Sequence, residues 1–496
     1  MKIYILNHKF HYEIENLTRV FFPNEKIEII KDVDISTQQP TAPAIVTKLN
    51  CEDAPNSISV QLIFDDYNNC CQVSSLCTEI DEETVAYQER IMAVTLFKML
   101  SEYTGMTPPW GVLTGVRPIK LFRKMCSEYG LEYTKNYFKN KLLVSDEKIS
   151  LAQETEKNEQ AILQMSSDNS YSLYVSIPFC PTRCSYCSFV SQSVEKTKKL
   201  IEPYVELLCK EIEYTAQIVK GLNLKLETVY IGGGTPTTLD AQQMSKLLSV
   251  INENFPMEHC KEFTVEAGRP DTITKDKLQA ILQGGADRIS INPQTMNDEI
   301  LTAIGRKHTA QQTIDAFNLA REVGFNHINM DLIVGLPNES FESFKRTLQI
   351  ITDLDPESIT VHTLSMKRSS NLTAQGMQLL KHDAEEAAKM HTYCKSLLAE
   401  KGLRPYYLYR QSRMVGNLEN IGYAKQGNDG LYNVYIMDET HTILACGAGG
   451  VTKLKNPNTS EIERIFDYKY PYEYIDKFDE MLKRKDGVTH FYNNLS

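Results

Sequence analysis

The chain has 496 residues, of which 53 are lysine or arginine and 64 are aspartate or glutamate, so its formal net charge is -11. This length predicts two to four domains, and the acidic balance argues against a broad nucleic-acid-binding surface. No apolar run approaches the roughly 18 residues of a membrane helix and no signal segment opens the chain, so we expect a cytoplasmic protein with no membrane span.

The first 165 residues contain no motif that indicates a particular chemistry. Short apolar runs predict strands at Lys2–Leu6 and Ser59–Phe64, and a stretch rich in Ala, Leu and Met predicts a helix at Val85–Thr104. The polar sequence at Gln153–Ser170 is typical of a helix that ends in a linker. We therefore predict an N-terminal α/β domain that ends at residue 165.

Residues 166–400 alternate between β-branched apolar runs and stretches with helical periodicity. Six such units predict parallel βα units, and near-continuous apolar strands are typical of a sheet covered on both faces. The predicted strands are Leu173–Phe179, Thr228–Ile231, Phe263–Ala267, Arg288–Asn292, Ile328–Val334 and Ile359–Leu364. The predicted helices are Ile201–Lys220, Ala241–Asn252, Lys275–Gln283, Ala310–Val323 and Phe341–Thr352. The fold class is therefore α/β, with a curved or barrel-like sheet.

After residue 400 this alternation stops. Tyrosine-rich pieces predict strands at Tyr406–Tyr409, Asn433–Met437 and Thr442–Cys446, and a polar tail follows them. Residues 401–496 are therefore predicted to form a smaller α+β appendage.

Three of the 12 cysteines, Cys180, Cys184 and Cys187, directly follow the first barrel strand with the spacing C-x3-C-x2-C. Barrel folds keep their chemistry on loops at the carboxyl ends of strands. Three thiolates on such a loop can each bind one iron of a [4Fe–4S] cube and leave the fourth iron open to another ligand. The alternatives are a structural zinc site, which needs a fourth ligand, and inert buried thiols. The other cysteines are scattered and are expected to be reduced.

Further polar or glycine-rich segments follow other strands at the same predicted rim. Residues 232–235 read Gly-Gly-Gly-Thr, which permits close backbone approach to a ligand but also suits a tight turn. Glu266 ends the third strand and needs either a ligand or a neighbouring arginine as its partner. Asp331 lies inside an apolar strand, where its natural partner is a cation or a ribose hydroxyl.

The fourth strand carries polar residues at alternate positions. Ser290, Asn292 and Gln294 are predicted to share one face, which is either a ligand lining or a solvated surface. His308, which follows Arg306, is expected to be a capping or core histidine.

Together these segments resemble the radical S-adenosylmethionine (SAM) superfamily and, within it, the oxygen-independent coproporphyrinogen III oxidase (dehydrogenase) family. The resemblance spans about Tyr171 to Val451 and includes five motifs in order. HemZ-type members match best, because they also share the Pro-Trp-Gly stretch that begins at Pro109 and two segments that begin at Tyr406 and Gly416.

The resemblance implies a partial (β/α)6 barrel that binds a [4Fe–4S] cluster and SAM, with a second SAM beside the first. It makes Cys180, Cys184 and Cys187 the cluster ligands. The positions that would contact the cluster-bound SAM are Tyr174, Gly233, Glu266 and Val451, of which Tyr174 and Glu266 are carried over as catalytic. The positions that would hold the second SAM are Tyr186, Gly234, Thr235, Gln294, Arg306, Asp331 and Ser365.

The implied reaction is oxidative decarboxylation of two propionate groups of coproporphyrinogen III to the vinyl groups of protoporphyrinogen IX. A 5′-deoxyadenosyl radical would abstract a hydrogen, a reductant such as flavodoxin or ferredoxin would supply the electron, and the chain would work as a monomer. A tetracarboxylate substrate also needs local cations. Our candidates, each of which could equally be a solvated surface charge, are Lys367, Arg368, Arg404, Arg410 and Arg413.

The sequence departs from the oxidase pattern in two places. Ser188-Phe189 replaces a fourth cysteine that follows the triplet, and Ser176 replaces a common histidine before Ile-Pro-Phe-Cys. Both changes resemble the heme chaperones, although the His-Asn…Tyr-Trp element expected of those chaperones is absent at residues 427–432. A heme chaperone, another radical SAM tetrapyrrole enzyme or methyltransferase, and a zinc-binding module are therefore the competing functions.

Overall fold

The computed structural model describes residues 1–31, 33, 39–51, 54–73, 84–187, 189, 191–365, 381–411, 413–459 and 461–495. They divide into two compact units. The first contains Met1–Gln153, Tyr409–Glu419 and the beginning of a later helix, up to Ala388. The second contains the remaining described residues. No helix among the described residues is both long and apolar enough to cross a membrane.

The first unit is built on a five-stranded sheet with the order β2-β1-β3-β4-β5. Strand β1 is parallel to β2 and β3, whereas β3, β4 and β5 pair antiparallel. Its elements are β1 (Lys2–Leu6), α1 (His11–Phe21), β2 (Glu28–Lys31), β3 (Ala44–Cys51), β4 (Ala54–Phe64), β5 (Tyr67–Val73), α2 (Thr84–Thr104), α3 (Pro118–Tyr129), α4 (Leu131–Asn140) and α5 (Asp146–Leu163), the last of which continues into the second unit. The buried side chains of Met92, Leu96 and Leu100 recur every four residues, so α2 presents one apolar face to the core.

The three segments that resemble HemZ-type proteins meet in a buried polar network of the first unit. Glu419 accepts hydrogen bonds from Trp110 Nε1 at 2.7 Å and from Lys148 Nζ at 2.6 Å. Arg410 lies over the Trp110 ring and donates from Nη1 to the backbone oxygen of Leu113 at 2.6 Å. These contacts give the three segments a structural role.

The second unit contains an 11-stranded sheet with the order β14-β15-β13-β12-β11-β10-β9-β6-β16-β17-β18. Its strands are β6 (Ser170–Ile177), β9 (Lys225–Gly233), β10 (Glu262–Glu266), β11 (Arg288–Ser290), β12 (His327–Val334), β13 (Ser358–Thr363), β14 (Arg404–Tyr409), β15 (Asn420–Ala424), β16 (Thr442–Cys446), β17 (Val451–Lys455) and β18 (Ile462–Phe466), and a separate short pair is formed by β7 (Phe179–Cys180) and β8 (Gln192–Ser193). Its helices are α6 (Val194–Lys220), α7 (Ala241–Asn254), α8 (Lys275–Gln283), α9 (Asp298–Ala303), α10 (Ala310–Val323), α11 (Phe341–Asp353), α12 (Lys381–Glu400), α13 (Leu431–Asp438), α14 (Pro471–Asp476) and α15 (Phe478–Asn493).

The six predicted barrel strands are adjacent and parallel, in chain order from β6 to β13. Each is followed by a helix, so the predicted α/β class and partial (β/α)6 barrel are confirmed. Parallel strands joined by helices place all six carboxyl ends at one rim. The loops that carry the predicted site residues therefore lie at that rim.

Local signals position the helices that pack on this sheet. Helix α7 begins with a capping box between Asp240 and Gln243, and α10 begins with one between Thr309 and Gln312. Gly324, with φ of +118°, ends α10 in the left-handed conformation that glycine adopts without strain. These signals explain why the predicted bounds of α10 agree with the structure.

The C-terminal region extends the barrel sheet on both sides. Strand β16 adds to β6 in parallel, β17 and β18 continue outwards antiparallel, and β15 pairs antiparallel with β13. Residues 420–495 lie in the same compact unit as the barrel. The division into domains at residues 165/166 and 400/401 stays a prediction.

The predicted strand at Asn433–Met437 is wrong, because these residues lie in helix α13. Gly430 precedes the helix, and the Glu262 carboxylate accepts the backbone N–H of Leu431 at 2.6 Å. An acceptor at this position satisfies one of the free donors at the start of a helix. The aromatic and β-branched composition, which favours a strand, is therefore overridden by a tertiary contact.

Candidate active site

The cysteine loop begins where β6 ends. Phe179 and Cys180 form β7, which pairs with β8, so both ends of the loop are fixed. Within the loop, the backbone N–H of Cys187 donates to the oxygen of Cys184 at 3.2 Å. Thr182 Oγ1 donates to the backbone oxygen of Gly305 at 2.9 Å, which fastens the loop to the segment after β11. The three thiols therefore lie on one anchored loop at the barrel rim.

The three thiols lie close enough to influence one another. Burial raises the pKa of Cys180 and raises that of Cys187 to about 11, and neighbouring thiols of the triplet add to both shifts. Among the residues that the structure describes, no group of three His, Cys, Asp or Glu side chains is arranged to hold a metal ion. A [4Fe–4S] cube makes a different demand from a single ion, because each thiolate binds a different iron. A donor set of three soft thiolates on one loop fits that cube.

The glycine segment after β9 lies directly against the cysteine loop. Gly234 N donates to Ile177 O at 2.8 Å, and Thr235 Oγ1 donates to Cys180 Sγ at 3.4 Å. A Cβ atom at Gly234 would lie 2.6 Å from Phe179 O and 3.0 Å from Cys180 Sγ. The glycines therefore continue the pairing with the β6 end and let the backbone pack directly against the cysteine loop, where a side chain would not fit.

Glu266, at the carboxyl end of β10, has a tyrosine as its partner and not the arginine we considered. Tyr230 OH donates to Glu266 Oε1 at 2.6 Å. Burial raises the pKa of Glu266 to about 7, and the nearby Asp331 carboxylate contributes in the same direction. Tyr230 stacks on Tyr432 with 4.5 Å between ring centroids, and Tyr174 stacks near both rings. Glu266 is therefore a partly buried carboxyl group supported by an aromatic stack.

Asp331 is held by polar neighbours on its own strand, β12, and on the adjacent strand β13. Asn329 Nδ2 donates to Asp331 Oδ1 at 2.7 Å, and His362 Nε2 lies 3.6 Å from Asp331 Oδ2. Burial acts to raise the pKa of Asp331, but these contacts outweigh it and hold the pKa below its usual value. Asp331 is therefore ionised at neutral pH and available to a cation or a hydroxyl group.

Of the predicted common face, Ser290 and Asn292 lie together, because Ser290 Oγ donates to Asn292 Oδ1 at 2.6 Å, but β11 ends at Ser290 and the regular alternation does not extend to Gln294. Gln294 adopts the left-handed region with φ of +70°, and its backbone bridges to β12 through the Asp331 oxygen at 2.9 Å. Its Oε1 atom is buried and has no hydrogen-bond partner within the described part of the chain. A strained backbone with an unpaired amide oxygen is typical of a ligand-binding position.

Arg306 is buried between the cysteine loop and the segment after β11. Its Nη1 donates to the backbone oxygens of Asn292 and, at 3.3 Å, Gly268. Tyr186 and Cys184 lie beside the guanidinium and raise the pKa of Arg306 although burial alone would lower it. Its Nε atom has no hydrogen-bond partner among the described residues. The predicted site residues Tyr186 and Arg306 are thus brought together.

The last two predicted positions lie at the ends of strands on either side of this rim. Ser365 follows β13, and Leu364 N donates to the neighbouring strand at Val334 O over 2.9 Å. Val451 begins β17 after a tight turn that includes Ala448, whose backbone oxygen accepts from Ser176 Oγ at 2.8 Å. Ser176, which stands in place of a histidine, therefore fastens this turn to the end of β6.

The structure places the candidate substrate cations in different environments. Arg404 pairs with Asp429 at 2.8 Å, and Arg410 is buried in the network of the first unit, where burial lowers its pKa to about 10. Lys367 and Arg368 lie outside the described residues. Arg413 stays a prediction.

Three residues of the site were not singled out from the sequence. Tyr230 is the partner of Glu266, Tyr432 stacks beneath it, and Arg269 Nη1 lies 3.8 Å from Cys184 Sγ. The position of Arg269, three residues after Glu266 on a loop of the same rim, was the one sequence signal that could have indicated it. Tyr432 precedes the strand predicted at Asn433–Met437, and no pattern in the sequence indicates that it contacts Tyr230.

Comparison with known proteins places these residues in context. The model of the radical SAM superfamily matches residues 174–351. The oxygen-independent coproporphyrinogen-III oxidase-like protein HemZ of Bacillus subtilis is 38% identical over 409 residues, which cover 82% of each chain. The heme chaperone HemW of Bacillus subtilis is 31% identical over 61% of this chain and 77% of its own.

A solved structure shares the fold. Coproporphyrinogen III oxidase (HemN) from Escherichia coli, described as a radical SAM enzyme, aligns with a TM-score of 0.50 and 24% identity. The alignment covers 65% of this chain and 73% of that one. This likeness supports the barrel architecture.

Proposed function

The chain belongs to the radical SAM superfamily and to its HemZ-type family of oxygen-independent coproporphyrinogen III oxidase-like proteins, and from this premise we propose that it decarboxylates the propionate groups of coproporphyrinogen III oxidatively in heme biosynthesis. One observation carries the proposal most strongly. Three thiols, a glycine backbone packed against them and a partly buried carboxyl group lie at the ends of the neighbouring strands β6, β9 and β10.

Membership of the superfamily implies a [4Fe–4S] cluster and SAM. When bound, they supply an electron and a 5′-deoxyadenosyl radical. In our proposal Cys180, Cys184 and Cys187 hold the cluster, and the backbone beside Gly233 accepts the SAM amino group. The Glu266 carboxylate, supported by Tyr230, then binds a hydroxyl or ammonium group of the same SAM.

A second SAM is proposed from two unpaired polar atoms. Arg306 Nε and Gln294 Oε1 are both buried and both lack a hydrogen-bond partner in the described structure. Buried polar atoms of this kind need a partner, and a ligand with a carboxylate and hydroxyl groups would supply one. Gly234, Thr235, Tyr186, Asp331 and Ser365 would complete that binding site.

We further propose how the reaction is supported. The stacked rings of Tyr174, Tyr230 and Tyr432 would exclude water beneath the reacting centre, and the strands would hold the reacting C–H bond close to the radical. Flavodoxin or ferredoxin would supply the electron. The cytoplasm is the proposed compartment, because ten cysteines of the described chain are free thiols.

Anaerobic product analysis tests the proposal. The full-length chain is reconstituted with iron and sulfide and incubated with reductant, SAM and coproporphyrinogen III. We expect protoporphyrinogen IX and 5′-deoxyadenosine from the wild type and from Cys70→Ser, whose thiol is exposed on β5, and neither product from Cys184→Ser. A cluster-replete wild type that makes no protoporphyrinogen would contradict the decarboxylase assignment.

A heme chaperone is the second candidate, because HemW is 31% identical to this chain and Ser188-Phe189 replaces the fourth cysteine of the oxidases. The incubations with coproporphyrinogen III distinguish a heme chaperone from a decarboxylase. Stoichiometric heme binding without product favours the chaperone, whereas S-adenosylhomocysteine would indicate methyl transfer.

A further inference from the structure

Arg269 places a buried cation beside one thiol of the triplet. It lies in the loop after β10, and its side chain is 3% exposed. Nη1 lies 3.8 Å from Cys184 Sγ and donates to Thr182 Oγ1 at 3.1 Å. The guanidinium is therefore inserted into the cysteine loop.

Asp271 fixes the orientation of this guanidinium. Arg269 Nε donates to Asp271 Oδ1 at 3.1 Å, and Nη2 donates to Oδ2 at 3.2 Å. This two-pronged contact uses one edge of the planar group, so Nη1 on the other edge stays aimed at the loop. A lysine at this position could supply the charge but not the same geometry.

The environment of the three thiols is uneven. Cys180 receives a neutral hydroxyl group from Thr235 at 3.4 Å, whereas Cys184 faces Arg269 and also the guanidinium of Arg306. Hydrogen bonds to the sulfurs and nearby charge are the means by which a protein sets the potential of an iron–sulfur cluster. A positive charge favours the reduced cluster, because reduction adds an electron.

We propose that Arg269 is a positioning residue that binds the Cys184 thiolate of the cluster and raises the reduction potential of the cluster. This inference rests on the proposed cluster site but not on the tetrapyrrole substrate. In this proposal Arg269, in the loop after β10, favours electron uptake by the cluster, whereas Glu266, at the end of β10, binds SAM.

A redox titration followed by electron paramagnetic resonance tests the proposal on the anaerobic, reconstituted full chain without SAM. At the wild-type midpoint potential, we expect the ratio of reduced to oxidised cluster in Arg269→Gln to fall about tenfold, which corresponds to about 59 mV for one electron. Arg269→Lys should fall less. Lys275→Gln removes the same charge from an exposed position on α8 and should leave the potential unchanged.

The outcomes separate this inference from the proposed function. A wild type that binds no iron would contradict the cluster site itself. An Arg269→Gln variant with four irons and the wild-type potential would contradict only the inference. If Arg269→Gln loses iron, a cluster-replete Arg269→Lys with a lowered potential supports the inference. If both variants lose iron while their circular dichroism is unchanged, Arg269 has only a structural role in the cysteine loop, and the inference is overturned.

Discussion

The partly buried Glu266 carboxyl group is predicted to make SAM binding depend on pH. Burial raises the pKa of Glu266 to about 7, although the Tyr230 hydroxyl, at 2.6 Å, acts to lower it. A cationic ligand favours the ionised carboxylate. Because the ligand-free protein binds a proton at Glu266 below pH 7, that proton must be released when SAM binds.

The size of the effect follows from this pKa. About one tenth of the Glu266 side chains are ionised at pH 6 and about nine tenths at pH 8. If SAM binds the ionised form, its dissociation constant should be about tenfold larger at pH 6 than at pH 8, a difference of about 1.4 kcal/mol. Above pH 8 the affinity should level off, since nearly every Glu266 side chain is then ionised.

Anaerobic calorimetry on the reconstituted, oxidised protein measures this dependence at pH 6, 7 and 8. Glu266→Gln should bind SAM more weakly and with no change over this range. Tyr230→Phe removes the hydroxyl that stabilises the carboxylate, so it should raise the pKa of Glu266 and move the transition to higher pH. The reasoning is refuted if the wild-type affinity is independent of pH or if Glu266→Gln keeps the tenfold change.

Three further substitutions have expected outcomes. Glu419→Gln leaves the buried Lys148 ammonium with only the half-exposed Glu147 carboxylate, 3.7 Å away, so it should destabilise the first unit by about 3 kcal/mol, measured by urea unfolding with the single tryptophan as the fluorescent probe. Burial raises the pKa of Glu339 to about 7, so the folded state keeps a proton that the unfolded state releases, and this group should contribute about 3 kcal/mol less stability at pH 8 than at pH 4. In urea unfolding followed by circular dichroism, the fall in stability over this range should therefore be about 3 kcal/mol smaller in Glu339→Gln than in the wild type. Gly234→Ala pushes a methyl group against the cysteine loop and should reduce iron content, whereas Gly115→Ala, which has open space around it, should not.

The parts of the fold that could be predicted have local causes. The bounds of α10 follow from the capping box at Thr309 and the glycine at position 324, and the six barrel strands follow from near-continuous apolar runs. The placement of the site at one rim followed from the fold class alone, because parallel strands share a direction. Cys180 and Gly234 are close together for that reason.

The parts that could not be predicted depend on contacts between distant segments. Helix α13 forms because Glu262, about 170 residues earlier, accepts from its first N–H groups, and no pattern within the helix reveals this. Tyr432 reaches Tyr230 only as a consequence of that helix. Gln294 adopts the left-handed region, and its backbone forms an isolated bridge with Leu332 of β12. If β11 continued as a regular strand, Gln294 would pair with a different residue of β12.

Arg410 shows how a charge that suits a substrate can belong to the fold. The sequence made it a candidate for binding propionate groups, yet its guanidinium donates to backbone oxygens and lies over Trp110 in the first unit. Its guanidinium is therefore already engaged by internal acceptors, and the nearby Glu419 carboxylate favours its charged form against the opposing effect of burial. Loss of activity in an Arg410→Ala variant would thus have a cause in stability, and the fluorescence of Trp110 would reveal that cause before any change in KM could be assigned to the substrate.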